Sequence, residues 1–193
     1  MEVTTRSRII KSDWSELRLK DHIRPGLLVL FVGINPGVRS AITGHHFAGY
    51  SNRFWKLLSE SGLVPRPVTY EDDVRLTIWN LGITNVIARP SRGIDDLRPA
   101  EYIEGWKMLD RKIRRYRPTV VAFLGVTLYR AIRPQFDGVQ TQTQLSAVGL
   151  QPEKIHGART FVLPNPSGRN ANYTYSEMLK SFVQLAELAN PSR

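Results

Sequence analysis

Four short apolar runs, bounded by turn-forming residues, constrain this 193-residue chain more than any other feature. Leu27-Leu28-Val29-Leu30-Phe31-Val32-Gly33 lies between Pro25-Gly26 and Pro36-Gly37. Thr119-Val120-Val121-Ala122-Phe123-Leu124-Gly125 and Arg159-Thr160-Phe161-Val162-Leu163-Pro164 are two more, and a fourth falls within residues 78–87, interrupted by Gly82. Unbroken apolar runs of strand length read as strands covered on both faces, as in a parallel sheet. Between them, apolar residues recur at helical spacing, which predicts helices over residues 51–61, 99–115, 126–132 and 173–188. Strands alternating with helices make a parallel sheet with helices on both faces. Residues 1–24 are polar and mixed and read as a peripheral arm or short helix. Residues 25–193 then form one α/β domain, with no repeat and no low-complexity tract.

Composition narrows the function classes. Cysteine is absent, which removes disulfides, cysteine zinc sites, iron–sulfur clusters and cysteine nucleophiles. Four histidines leave a structural zinc site without support, and no metal or other cofactor is expected. No apolar stretch is long enough to span a membrane or to act as a signal peptide. A cytoplasmic or nucleoid location is expected, or a nuclear one in a eukaryote. The net charge is +10, and arginine supplies 20 of the 27 basic residues. Residues 111–193 hold 12 basic and 4 acidic residues, a net of +8; residues 1–110 hold 15 and 13, a net of +2. Such an excess points to a polyanion partner, with a plain solvated basic face as its rival.

In a parallel α/β sheet, ligands sit beyond the carboxyl ends of the strands. Two of those ends carry the same punctuation: Gly33-Ile34-Asn35-Pro36-Gly37 and Pro164-Asn165-Pro166-Ser167-Gly168. Proline holds the preceding residue extended, and glycine admits close backbone approach. Both asparagine amides are therefore expected to point stiffly into a crevice, although an ordinary turn gives the same pattern. No carboxylate occurs from His22 to Ser59, whereas Arg24, Arg39, Arg53 and Lys56 do. A site in this stretch cannot use its own acid as base and must act by positioning and charge stabilisation. The phosphate loop, the dinucleotide G-x-G-x-x-G and the hydrolase G-x-S-x-G are all missing. Their absence argues against a small-molecule nucleotide enzyme.

Gly33-Ile34-Asn35-Pro36-Gly37-Val38-Arg39-Ser40-Ala41, with Gly44, Phe47-Ala48 and Asn52-Arg53-Phe54-Trp55-Lys56, closely resembles the first motif of the mismatch-specific uracil-DNA and thymine-DNA glycosylases. Asn165-Pro166-Ser167-Gly168-Arg169-Asn170-Ala171 resembles their second motif. Leu81-Gly82-Ile83-Thr84-Asn85-Val86-Ile87 with Arg89-Pro90 is similar to the strand between. The matches are in order across about residues 25–185.

The resemblance implies a three-layer α/β/α sandwich with a central, mainly parallel sheet. It implies a monomeric, cofactor-free, monofunctional glycosylase that flips uracil, and by extension thymine, out of G·U or G·T mispairs in double-stranded DNA and hydrolyses the glycosidic bond. Neither motif offers a lysine in the core of its loop for Schiff-base lyase chemistry. Asn35 would position the attacking water; related enzymes place an aspartate there, so asparagine implies a slower catalyst. Gly33, Ile34, Ser40, Phe47 and Asn85 would form the base pocket, with Phe47 stacking on the base and Asn85 reading its edge. Asn165, Ser167, Gly168, Arg169 and Asn170 would form the wedge and read the orphaned guanine, with Arg169 entering the duplex. Asp95 and Asp96 are candidates for an auxiliary acid, with a surface loop as the alternative. His45 and His46 read as solvated loop residues. The run from Arg111 to Arg117 reads as cations at a helix C-terminus. A catalytically silent mismatch- or DNA-binding module on the same fold is the competing function.

Overall fold

The computed structural model describes residues 14–136 and 148–190. Five strands form one sheet: β1 (Val29–Gly33), β2 (Leu81–Asn85), β3 (Val120–Leu124), β4 (Gly149–Ile155) and β5 (Ala158–Leu163), in the order β2-β1-β3-β5-β4. All pairings are parallel except the β4–β5 hairpin. The helices are α1 (Val38–Thr43), α2 (Phe54–Glu60), α3 (Pro99–Tyr116), α4 (Val126–Ile132) and α5 (Tyr175–Ala189).

The apolar runs are continuous because both faces of the sheet are buried. Val29, Phe31, Ile83, Val120, Ala122 and Leu163 pack with α2 and α5 on one side. Leu30, Val32, Val121, Phe123 and Val162 pack with α3 and α4 on the other. The three-layer sandwich is thus read directly from strand alternation. Helix α5 starts with a reciprocal cap: Glu177 N–H donates to Thr174 Oγ1 (3.2 Å) and Thr174 N–H to the Glu177 carboxylate (2.7 Å).

Three elements differ from the sequence reading. β4 is an additional strand, antiparallel at the edge and crossed by Pro152, where a missing amide costs little. Residues 70–79 form a long 3-10 stretch. Residues 14–24 close on the sheet, with His22 and Ile83 exchanging backbone hydrogen bonds of 3.1 and 2.9 Å. Residues 1–13 of the expected arm lie outside the described residues.

The topology locates the crevice. The chain leaves β1 for β2 on one side and then crosses back to β3 on the other. The connection after β1 packs α2 on one face, whereas the connection after β3 packs α4 on the opposite face. The two loops diverge beyond the carboxyl ends of β1 and β3, which opens a crevice at that point.

Candidate active site

A cavity of about 580 Å³ fills this crevice. Gly33, Ile34, Asn35, Ser40, Phe47, Asn85, Asp95, Asn165, Ser167, Gly168, Arg169 and Asn170 all line it, so both strand-end motifs and the intervening strand meet there. Asp96 does not: its carboxylate accepts from the Arg92 N–H at 3.1 Å. Among the described residues, no lysine lines the cavity.

The Asn35 side chain is held by its nitrogen. Nδ2 donates to the Arg89 carbonyl (3.1 Å), the Pro36 carbonyl (3.2 Å) and Ser91 Oγ (2.8 Å). Carbonyl oxygens only accept, so the NH₂ end must face them and the amide orientation is fixed by chemistry. Ser91 Oγ donates onward to the Gly93 carbonyl (2.7 Å), which leaves it as acceptor toward Asn35. Oδ1 is the end left available to a ligand or water.

Asn85 stands beside Gly33 in the parallel register of β1 and β2. A Cβ at Gly33 would sit 2.5 Å from Asn85 Oδ1 and 3.1 Å from the Phe47 ring, so only glycine allows both to converge there. Phe47 has φ of 52°, a strained conformation for an aromatic residue, and its ring centroid lies 4.6 Å from that of Phe54. The ring packs against the core on that side and also lines the cavity. Ser40 Oγ accepts from the Ala48 N–H at 3.0 Å and so pins the loop that presents Phe47.

His46 corrects the sequence expectation of a solvated histidine. It is 1% exposed and lines the cavity. Its Nε2 lies 3.1 Å from the Lys20 carbonyl, which requires the proton on that nitrogen, and its Nδ1 faces Asn85 Nδ2 at 3.5 Å. Burial pushes its pKa down, so the ring is neutral at neutral pH. His45 is also engaged, with Nδ1 2.9 Å from Asp73.

Asp73 was not legible in the sequence and is fully buried. Burial opposes its charge. Hydrogen bonds from the His22 and His45 rings and from the His46 N–H outweigh that penalty and hold its pKa at about 2. One carboxylate thus fixes the histidine segment that precedes Phe47.

Asn165 departs from expectation. Its Oδ1 accepts from the Ser167 N–H (3.0 Å), and its backbone carbonyl accepts from Asn170 Nδ2 (2.8 Å). Its amide builds the second loop rather than reaching freely into the crevice. The Arg169 side chain projects from that loop, exposed, with Nη1 3.3 Å from the Arg92 carbonyl.

The matching family model, the uracil DNA glycosylase superfamily, aligns with residues 21–187. The chain belongs to this superfamily. It is 36% identical over 194 residues to the G/U mismatch-specific uracil DNA glycosylase of Schizosaccharomyces pombe, which covers 93% of this chain. The chain spans 59% of that relative's length. A solution NMR structure from Methanosarcina acetivorans, described as a candidate uracil DNA glycosylase, matches with a TM-score of 0.59 at 20% identity. It covers 88% of this chain and 97% of its own, and it supports the fold.

The charge of this superfamily member is placed differently from its sequence distribution. Within the basic segment, Lys112 pairs with Asp21 at 2.6 Å, and Arg133 is buried against Glu153. Arg111–Arg117 stand at the amino ends of the strands, opposite the crevice, where Gly26 N–H bonds the Tyr116 carbonyl. The cavity's arginines are Arg39, Arg92 and Arg169, two of them from the near-neutral half.

Proposed function

We propose that this chain is a monofunctional DNA glycosylase. Its substrate is uracil, and secondarily thymine, mispaired with guanine in double-stranded DNA. The observation that carries the reading is the Asn35 amide: its nitrogen is consumed by two carbonyls and a serine, so its oxygen is the free acceptor at the mouth of β1. An acceptor fixed this way orients a water molecule without being a strong base. The glycosidic bond breaks through an oxocarbenium-like state, so positioning the nucleophile suffices where the leaving group departs as an anion.

The surrounding residues suit that step. A base reached only by extrusion from the duplex needs a face to stack on and an edge to read. Phe47 offers the face, and the Asn85 amide offers paired donor and acceptor for a pyrimidine imide. Arg39, Arg92 and Arg169 surround the cavity, which favours the DNA backbone and a departing anion. No lysine lines the cavity among the described residues, in keeping with hydrolysis rather than Schiff-base chemistry. Asp95 reaches the cavity and remains the candidate auxiliary acid; Asp96 is occupied with Arg92.

The test uses duplexes bearing G·U, A·U or G·T and single-stranded uracil DNA, followed by alkali. Alkali-labile breaks in G·U duplex are expected, and their loss in Asn35→Ala with duplex binding retained. Binding without any break by the unaltered protein would establish the silent-module reading instead.

A further inference from the structure

The loop bearing Arg169 is held from outside as well as by its own hydrogen bonds. Asn170 N–H bonds the Ser167 carbonyl at 3.0 Å, which closes a four-residue turn with Gly168-Arg169 at its tip. Arg53, more than a hundred positions earlier, grips both ends of that turn. Its Nη2 donates to the Ser167 carbonyl (2.8 Å) and to the Asn170 carbonyl (3.0 Å), and its backbone N–H donates to the Pro166 carbonyl (2.9 Å). Beside it, Gly168 is pressed on Ser51: a Cβ at Gly168 would lie 2.4 Å from Ser51 Oγ and 2.6 Å from the Ser51 carbonyl oxygen.

We propose that Arg53 is a positioning residue that sets the height of the Ser167–Asn170 turn over the cavity, so that Arg169 is aimed before DNA arrives. The inference rests on the glycosylase reading. Arg53 touches no reacting atom and acts through the backbone it holds. The length of the arginine side chain carries Nη2 to both carbonyls at once, while the backbone amide anchors a third. A lysine ammonium keeps the charge but ends one bond short of the position that Nη2 occupies. Arg53→Lys therefore separates the clamp from simple attraction to phosphate. The Arg53 Nε is buried without a partner, which is the cost of directing the group at the turn instead of at solvent. Pre-aiming spares the loop from being ordered on binding, and such ordering would weaken affinity.

The experiment is a double-mutant cycle with a non-catalytic readout. Affinity for duplex holding a stable abasic-site analogue opposite guanine is measured for the unaltered chain, Arg53→Lys, Arg169→Ala and the double variant. Amide hydrogen exchange across residues 165–173 is followed in the free proteins. Arg53→Lys is expected to speed exchange at Asn170 and weaken binding about tenfold, but less than about twofold when Arg169 is already alanine. Unchanged exchange, or an equal loss in both backgrounds, overturns the proposal. Gly168→Ala pushes the same turn away through Ser51 and should repeat the non-additive pattern, which covers the case in which Arg53→Lys fails to fold. Absence of uracil excision by the unaltered chain would sink the glycosylase reading alone, because exchange and abasic-site binding are read without catalysis.

Discussion

Asp73→Asn tests the buried carboxylate that organises the histidine segment. Asp73 accepts from the His22 and His45 rings and from the His46 N–H, and its pKa falls from 3.8 to about 2. A shift of that size corresponds to about 2.5 kcal/mol of native-state stabilisation at neutral pH. The asparagine is nearly isosteric, but its nitrogen cannot accept, so one donor is left without a partner in a buried site. The expected loss at pH 7 is about 2–3 kcal/mol, or a fall in Tm of about 5–10 °C for a chain of this length. The sign with pH is decisive. The folded pKa is depressed, so the stabilisation is complete above 3.8 and disappears as pH falls toward 2. Urea denaturation at pH 7, 4.5 and 3 should show the gap between the two proteins holding and then shrinking to about half at pH 3. A gap below about 0.5 kcal/mol at pH 7, or one that does not change with pH, would refute the electrostatic reasoning.

Other perturbations address separate parts of the molecule. Asn35→Ala should lower single-turnover excision from G·U duplex by about 100-fold or more while abasic-duplex affinity stays within about threefold; equal losses in both would mean that Asn35 serves binding. Gly33→Ala forces Asn85 and Phe47 apart, so excision should fall by at least about tenfold while Tm changes little; unaltered activity would show that the pocket tolerates the extra carbon. Glu153→Gln removes the partner of buried Arg133 and should cost about 3–5 kcal/mol in urea unfolding without changing the pH profile of excision. His46 carries a lowered pKa because it is buried, so its neutral form contributes stability that is lost as pH falls below its ordinary value of 6.5. In His46→Gln, the unfolding free energy between pH 7 and 5.5 should vary less than in the unaltered chain.

The parallel strands were legible because burial on both faces forces apolar runs that few other structures need. β4 was not, because an edge strand buries alternate residues only, and Gln151, Glu153 and Lys154 hide it among polar positions. Asn35 could be placed because it follows a strand end, whereas Phe47 and Asn85 were placed by the family resemblance alone. Ser91 and Asp73 could not. Their partners lie 56 and 27 residues away, and serine and aspartate in loops have no distinguishing local pattern. His46 was misread for the same reason: its neighbours Gly44 and His45 suggest an exposed turn. Its burial comes from distant contacts, among them Trp55 Nε1 donating to its carbonyl at 3.0 Å. The charge excess was real but misleading in place, because part of it is spent in ion pairs with residues distant in sequence, as at Lys112–Asp21 and Arg133–Glu153.

The grip on the Asn35 nitrogen also limits how this position can change. Aspartate is one nucleotide away from asparagine in the genetic code, and a carboxylate would be the stronger base. Here it would turn a lone pair toward the Arg89 and Pro36 carbonyls, and Ser91 Oγ has already given its hydrogen to Gly93. The more basic residue is adjacent in codon space but remote in conformational space: it becomes accessible only after residues 89–93 have been rebuilt to offer donors. The asparagine is therefore held in place by its neighbours as much as by the water-positioning role proposed for it.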